Sequence, residues 1–195
     1  MKATLKNTIL PLMTATSCVL SLGAAAADHQ ANFSSDNDSR HYSSNFTPLV
    51  NKVREVVLGF SRKEIEAYNK AKTPCVTGPE FGAMGVHFIN TDNMDGILDV
   101  NKPEALIYEP QANGRMKLVG VEFIVPKPAW DALHPDPLDR PALEGHLLNF
   151  VGEPNRYGLP GFYEIHVWAF EDNPKGALTD WNPHVTCEKQ RLPQS

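Results

Sequence analysis

The chain lacks an excess of positive charge. Its 195 residues include 18 lysines and arginines against 23 aspartates and glutamates, which gives a formal net charge of −5. Proteins that bind nucleic acid present a basic face to the phosphates. The acidic balance therefore argues against a nucleic-acid partner.

A long apolar run is missing as well. The most apolar stretch, residues 9–22, is interrupted by Thr14, Thr16 and Ser17 and is shorter than the roughly 20 residues that a membrane-spanning helix needs. It follows two lysines and precedes a run of alanines, an arrangement that is typical of a secretory signal peptide. We therefore predict a signal peptide over residues 1–27.

The remaining chain divides in two by composition. Residues 28–46 are polar and rich in Ser, Asn and Asp, which predicts a flexible leader. Residues 47–195 are numerous enough for a single domain with its own core. With the signal peptide removed, the protein is expected in the periplasm or outside the cell, without a membrane span. Lipoprotein processing at Cys18 stays an alternative.

Cysteine is scarce, with three residues in the chain. Signal-peptide removal takes away Cys18 and leaves Cys75 and Cys187, which are far apart and form no CxxC motif. An even pair in an exported protein is typical of a disulfide. We predict a bridge between Cys75 and Cys187, and a metal or redox role for the pair is the alternative.

Motifs of several common enzyme classes are absent from the sequence. The chain has no GxSxG, no glycine-rich phosphate loop and no HExxH. The sequence therefore gives no support for a hydrolase, a nucleotide-binding protein or a metalloprotease of the classes that carry these signatures. The segment over residues 92–99 is rich in aspartate and resembles a calcium loop in composition, but it lacks the D-x-[DN]-x-[DN]-G spacing of such a loop. We interpret it as a turn.

Helical periodicity is confined to the start of the domain. Thr47 and Pro48 suit an N-cap and a first helical turn, and apolar residues follow at spacings of three and four up to Phe60. Ser61 and Glu64 fit a capping box that would open a second short helix. We expect both helices to pack on a sheet.

From residue 80 onward the pattern changes to short β-rich runs separated by turns. Strands are predicted over residues 83–90, 104–109, 116–125 and 162–170, with a weaker one over 147–151. Asn113-Gly114 predicts a hairpin, and the proline-rich residues 126–141 are expected to form a surface loop. The predicted fold class is α+β, with N-terminal helices packed on a curved antiparallel β-sheet or partial barrel.

Four charged or imidazole side chains lie inside the apolar strand-like runs: His87, Glu109, Glu122 and His166. Such groups are rarely buried unless something pairs with them. Strand alternation gives each of them small or apolar neighbours on its own face, as expected for a side chain that points into a pocket. Glycine also precedes His87 and Glu122 by two residues, which indicates a bend or open space.

Two imidazoles and two carboxylates are a ligand set for a divalent transition metal. We predict that His87, Glu109, Glu122 and His166 converge on such a metal, for which Zn²⁺, Mn²⁺, Fe²⁺, Ni²⁺ and Cu²⁺ are all suitable. Glu164, two residues before His166, is the predicted catalytic residue, acting as a general base, with a ligand or ligand-orienting role as the alternative. Ordinary hydrogen-bonded core residues are the competing interpretation.

Six sequence runs carry a resemblance to known proteins. They are GAMGVHF (82–88), PEALIYEP (103–110), LVGVEFIVP (118–126), YEIHVWAF (163–170), NPKG (173–176) and WNPHVTC (181–187). Together they resemble a family of small exported bacterial hypothetical proteins with no assigned function. The resemblance implies a site shared within that family, because the candidate ligands fall inside these runs, and it implies no particular activity.

Three functional hypotheses follow. The first is an exported protein with a His/Glu metal site inside a β-sheet pocket, of which a metal-dependent enzyme acting on a small oxygen-rich substrate is one form. The second is a metal-free periplasmic module that binds a small molecule against Tyr163, Trp168 and Phe170. The third is an interaction protein of the cell envelope.

Overall fold

The computed structural model describes residues 47–78 and 80–190. The predicted signal peptide over residues 1–27, with Cys18, and the predicted leader over residues 28–46 lie outside the described residues and stay predictions. In the described part of the chain, no helix is both long enough and apolar enough to cross a membrane.

Two short helices come first, as the sequence predicts. Helix α1 (Pro48–Leu58) begins where the side chain of Thr47 accepts a 3.3 Å hydrogen bond from the backbone N–H of Val50. Helix α2 (Arg62–Ala67) begins at the predicted capping box. Both caps satisfy N–H groups that have no partner within the helix.

The described residues form one large antiparallel sheet and one small hairpin. The strands are β1 (Ala71–Lys72), β2 (Val76–Gly78), β3 (Gly82–Ile89), β4 (Ala105–Pro110), β5 (Met116–Pro126), β6 (Ala142–Leu143), β7 (His146–Leu147), β8 (Asn149–Val151) and β9 (Phe162–Val167). The large sheet has the order β1-β3-β4-β5-β9-β8, with β2 also paired to β3, and β6 pairs with β7. The α+β prediction is therefore confirmed, with an open sheet and no closed barrel among these strands.

The predicted hairpin between β4 and β5 is confirmed. Asn113 and Gly114 both have positive φ, at 66° and 80°. This left-handed backbone is accessible to Gly and tolerated by Asn, which explains why this dipeptide occupies the turn.

One face of the sheet packs against α1. Buried side chains of the sheet, including Leu106, Val121 and Phe123, form a single apolar cluster with residues of α1. Arg54 of α1 also donates a 2.8 Å hydrogen bond to the carbonyl of Ala169, just after β9. The main core therefore lies on this face, and the opposite face is left for smaller clusters and polar residues.

The predicted disulfide joins Cys75 to Cys187 across 112 residues of chain. It attaches the C-terminal segment, residues 168–190 after β9, to the region between β1 and β2. Ala83 and Asn182 exchange two backbone hydrogen bonds of 3.1 Å and form a second attachment of the same segment. The C-terminal segment is thus fixed along β3.

The prediction of a loop over residues 126–141 is wrong for its first part. Residues Lys127–Leu133 form helix α3, with a proline in its first turn. Proline is tolerated there because the N–H groups of the first turn have no partner within a helix. Seven residues are too few for their periodicity to outweigh the prolines in a sequence-based prediction.

The predicted fifth and weak strands differ in extent from those observed. Strand β9 ends at Val167 rather than at residue 170, and the weak strand over residues 147–151 is divided between β7 and β8. Leu148 separates these two strands and is buried. On either side of it the chain pairs with different partners, β7 with β6 and β8 with β9.

Loss of the disulfide should destabilise the protein strongly. Cys75→Ser/Cys187→Ser removes a cross-link that closes a very long loop in the unfolded chain, so we expect the free energy of unfolding to fall by about 4–5 kcal/mol. Urea denaturation followed by tryptophan fluorescence measures the change. A loss below about 1 kcal/mol would contradict this expectation.

Candidate metal centre

Three of the four predicted ligands meet on the sheet face opposite α1. The Nε2 atom of His87 lies 3.2 Å from Nε2 of His166 and 3.2 Å from Oε2 of Glu122. All three side chains are buried, and each offers a ligand atom within 4.8 Å of the others. The group can therefore hold a metal ion.

The donor separations agree with tetrahedral coordination. Bonds of about 2.0–2.1 Å from zinc to nitrogen or oxygen place neighbouring ligand atoms about 3.3–3.4 Å apart. Both distances from His87 Nε2 are close to this value, at 3.2 Å. Three protein ligands leave one position open, as in catalytic zinc sites, and two histidines with one carboxylate also suit iron.

Strand register explains why these residues meet. Glu122 on β5 lies directly opposite His166 on β9. His87 on β3 is level with Ile107 on β4, and Ile107 is level with Gly120, two residues before Glu122. Since residues two apart on a strand share a face, all three ligands project from the same side of the sheet.

Two glycines permit this close pairing. A Cβ atom on Gly120 would lie 2.7 Å from the carbonyl oxygen of Val167 on the neighbouring strand. Gly85 has a φ of +82°, and a Cβ atom there would lie 2.7 Å from the carbonyl oxygen of Tyr108. Both positions therefore require glycine, which supports the interpretation of these residues as markers of a bend or a close approach.

A carboxylate holds the second ring nitrogen of His166. Its Nδ1 lies 2.9 Å from Oε2 of Glu164, so a proton on Nδ1 leaves Nε2 directed at His87 and Glu122. Metal-binding histidines commonly have a carboxylate in this position, which orients the ring and increases its basicity. The predicted catalytic residue Glu164 thus contacts a ligand.

A threonine positions His87 from the other side. Oγ1 of Thr73 accepts a 3.0 Å hydrogen bond from the backbone N–H of His87 and lies 3.4 Å from its Nδ1. The backbone N–H of Thr73 also donates to the His87 carbonyl at 3.1 Å. Because Thr73 is two residues before Cys75, the disulfide secures the segment that orients this ligand.

The structure does not bring Glu109 to the other three predicted ligands. Its carboxylate accepts hydrogen bonds from the backbone N–H of Thr186 at 3.0 Å and from the side chain of Gln111 at 2.8 Å. On β4 the residue opposite Glu122 is Ala105, and four residues of strand span about 13 Å. Glu109 therefore binds the C-terminal segment to the sheet and does not take part in the group of three ligands.

The electrostatics of the centre distinguish its two histidines. Burial, and then the neighbouring His166, lower the pKa of His87 to about 3, so its ring is neutral and available as a ligand at neutral pH. Burial alone would also lower the pKa of His166, but Glu122 and Glu164 outweigh it and raise the pKa to about 9. A metal must therefore displace a proton from His166.

Sequence reasoning missed Asp180, which extends the site. Asp180 lies beside Glu164, and burial followed by the negative charge of Glu164 raises its pKa. Glu164, His166 and Asp180 form a second group whose ligand atoms lie within 4.8 Å of one another. Asp180 lies in a turn, where an acidic residue is ordinarily solvated, so the sequence contains no signal for its role.

Glu104 is a second carboxyl group that sequence reasoning missed. Its side chain is 1% exposed, and its Oε2 accepts a 2.8 Å hydrogen bond from the backbone N–H of Ile124. Burial raises the pKa of Glu104 to about 9, so it is neutral at neutral pH. Its position in the same apolar run as Glu109 is a sequence signal that could have identified it as a buried carboxyl group.

The centre opens into two adjoining pockets. One, of about 170 Å³, is lined in part by His87 and Glu122, and the other, of about 310 Å³, in part by Glu122 and His166. Tyr163, predicted as a wall of a ligand pocket, is instead buried in the main core, and Trp168 is buried in a smaller cluster. The residues around the metal ligands come from both strands and loops.

Comparison of the chain with known protein families, with curated proteins and with solved structures finds no match. The resemblance to small exported bacterial proteins therefore stays a prediction. Any functional assignment must come from the geometry of the site itself.

The burial of Glu104 should make stability depend on pH. Its carboxyl is neutral in the folded protein up to about pH 9 but has an ordinary pKa near 4.5 when unfolded, so its contribution to stability is complete below pH 4.5 and is lost as pH rises towards 9. Glu104→Gln keeps a hydrogen-bond acceptor for Ile124 and cannot ionise. We expect the stability of the wild type to fall relative to this variant between pH 5 and pH 9.

Urea denaturation of both proteins across this pH range tests the expectation. The difference in their free energies of unfolding isolates Glu104, because every other titrating group is shared. Parallel pH profiles would show that Glu104 is not held neutral in the folded state.

Proposed function

We propose that this protein is an exported, metal-dependent enzyme whose divalent transition metal is bound by His87, Glu122 and His166. The observation that supports the proposal most directly is the position of His87 Nε2, 3.2 Å from a donor atom of each of the other two residues. The surrounding pockets give a small molecule access to the same atoms. Catalytic metal sites combine these two features.

Export is supported by the disulfide together with the predicted signal peptide. Disulfides persist in oxidising compartments such as the periplasm and are rare in the cytosol. The bridge between Cys75 and Cys187 lies close in sequence to Thr73, which orients a ligand. An oxidising location would therefore be needed for the site to keep its geometry.

The ligand set supports chemistry on an oxygen-containing substrate. A bound divalent metal polarises a carbonyl or phosphoryl oxygen and lowers the pKa of a bound water. His87 and His166 would bind through Nε2, and Glu122 through its carboxylate. In the centre formed by His87, Glu122 and His166, Glu164 acts through His166 by holding the proton on Nδ1, and this makes it a positioning residue there.

Asp180 and Glu164 together can exchange a proton with the substrate. Both line the larger of the two pockets, and two neighbouring carboxyl groups can hold one proton between them. The raised pKa of Asp180 favours its protonated form. The pair can therefore donate or accept a proton, whereas the sequence predicted a general-base role for Glu164 alone.

Metal content is the first test of the proposal. We expect the mature protein, purified without a metal-affinity step, to contain about one divalent metal per chain, measured by elemental analysis. His87→Ala/His166→Ala should contain none, whereas Glu109→Gln should match the wild type because Glu109 lies outside the centre. Chelated samples, compared by circular dichroism, control for folding of the variants.

Absence of metal from the wild type, even after incubation with Zn²⁺, Mn²⁺, Fe²⁺, Ni²⁺ and Cu²⁺, would overturn the proposal. The pockets would then favour a metal-free binding module, with walls other than the predicted Tyr163 and Trp168. Loss of metal from Glu109→Gln would also contradict the assignment of ligands.

Neutralising Glu164 should weaken metal binding without abolishing it. Glu164→Gln removes the negative charge beside His166 Nδ1, and the loss of such a partner typically reduces metal affinity about 10- to 100-fold. Competition with a chromophoric zinc chelator measures the affinity, with Glu109→Gln as the matched control. An unchanged affinity would show that Glu164 does not tune the ligand.

A further inference from the structure

The two pockets beside the centre differ in chemical character. The pocket of about 170 Å³ contains Ile89, Met94, Ile124 and Phe162, and its charged or ionisable groups are the two ligands His87 and Glu122 and the Tyr157 hydroxyl. We call it the apolar pocket.

The pocket of about 310 Å³ contains Asn155, Arg156, Glu164 and Asp180 beside His166. We call it the polar pocket. A molecule bound at the centre therefore meets hydrocarbon on the His87 side and charged groups on the His166 side.

The two pockets share a wall formed by Glu122, Tyr157 and Phe162. His87 lines only the apolar pocket and His166 only the polar pocket. Since the Nε2 atoms of these two histidines are 3.2 Å apart, the metal position lies at the boundary. A ligand atom on the metal can consequently carry substituents into both pockets.

The apolar pocket is built to hold hydrocarbon. Ile124 and Phe162 are buried in a cluster on the sheet, against which Ile89 and Met94 pack. Leu159, which also lines this pocket, remains 44% exposed, so its apolar surface is open to an incoming molecule. Burying such surface against a hydrocarbon group is favourable, and a polar group there would lose its hydration without gaining a partner.

The size of this pocket sets the size of its occupant. An apolar cavity of about 150 Å³ lined by Leu, Ile and Phe accepts benzene. The apolar pocket has a similar lining and about 170 Å³. Its volume therefore matches one phenyl-sized or branched aliphatic group.

From this geometry we infer that the substrate carries one compact apolar group, of phenyl size, directly beside the oxygen atoms that bind the metal. The apolar group occupies the apolar pocket, and the reacting bond faces Glu164 and Asp180 in the polar pocket. This inference rests on the proposed metal-dependent function. It narrows the substrate class from any small oxygen-containing molecule to one with a single aromatic or branched aliphatic substituent.

Two hydroxamates of different size test the inference. Acetohydroxamate and benzohydroxamate bind zinc through the same two oxygen atoms and differ in a methyl and a phenyl group. Binding of each to the zinc-loaded protein is measured by titration calorimetry, after elemental analysis of the same sample. We expect benzohydroxamate to bind about tenfold more tightly or better, because its ring leaves water.

Variants of the pocket walls locate the ring. Ala71 lines only the apolar pocket, so Ala71→Phe should fill it and remove the preference for benzohydroxamate while acetohydroxamate binds as before. Met94→Gln, a near-isosteric change on a turn, should reduce the preference severalfold. Arg156→Ala, the matched control in the polar pocket, should leave the ratio of the two affinities unchanged.

The outcomes separate this inference from the proposed function. Stoichiometric zinc with equal affinities for the two hydroxamates would overturn the inference and leave the metal site intact. A preference that is lost in Arg156→Ala and kept in Ala71→Phe would place the ring in the polar pocket and also overturn it. Failure to bind any of Zn²⁺, Mn²⁺, Fe²⁺, Ni²⁺ and Cu²⁺ would overturn the proposed function, and the substrate inference with it.

Discussion

The pairing of Glu122 with His166 across β5 and β9 is the contact on which the site depends. Burying two ionisable groups is costly unless each gains partners. Glu164 satisfies one nitrogen of His166, and His87 contacts both the other nitrogen and Glu122. Among the described residues, no buried side-chain nitrogen or oxygen lacks a hydrogen-bond partner. The centre is thus a completed polar network within an otherwise apolar sheet.

The C-terminal segment completes the site by fixing Asp180 next to that network. The indole N–H of Trp168 donates a 2.6 Å hydrogen bond to the carbonyl of Thr179, and the side chain of Asn149 donates to Asp180 at 3.3 Å. The disulfide at Cys187 anchors the end of the same segment. These contacts between residues far apart in the chain are needed because Asp180 lies in a turn. A turn has no ladder of hydrogen bonds to hold a carboxylate in place.

The two sides of the centre differ in chemical character. Hydrocarbon lies on the side of His87, and ionisable groups that can exchange protons lie on the side of His166. Such a division would hold a substrate in one orientation, with its apolar group away from Asp180 and Glu164. Orientation of this kind lowers a reaction barrier by confining the reacting groups to a productive geometry.

The amino-acid sequence by itself determined the helix caps at Thr47 and Ser61, the Asn-Gly hairpin, and the faces of the strands that carry His87, Glu122 and His166. These features follow from neighbours within a few residues, because caps, turns and strand alternation are local. Only the tertiary structure decided which polar residues meet. Glu109 lies on the predicted face of its strand but too far along it to reach Glu122, because the register of β4 against β5 is a property of two strands together. Loop residues such as Asp180 reach the centre only through contacts between residues far apart in the chain, which no local pattern records.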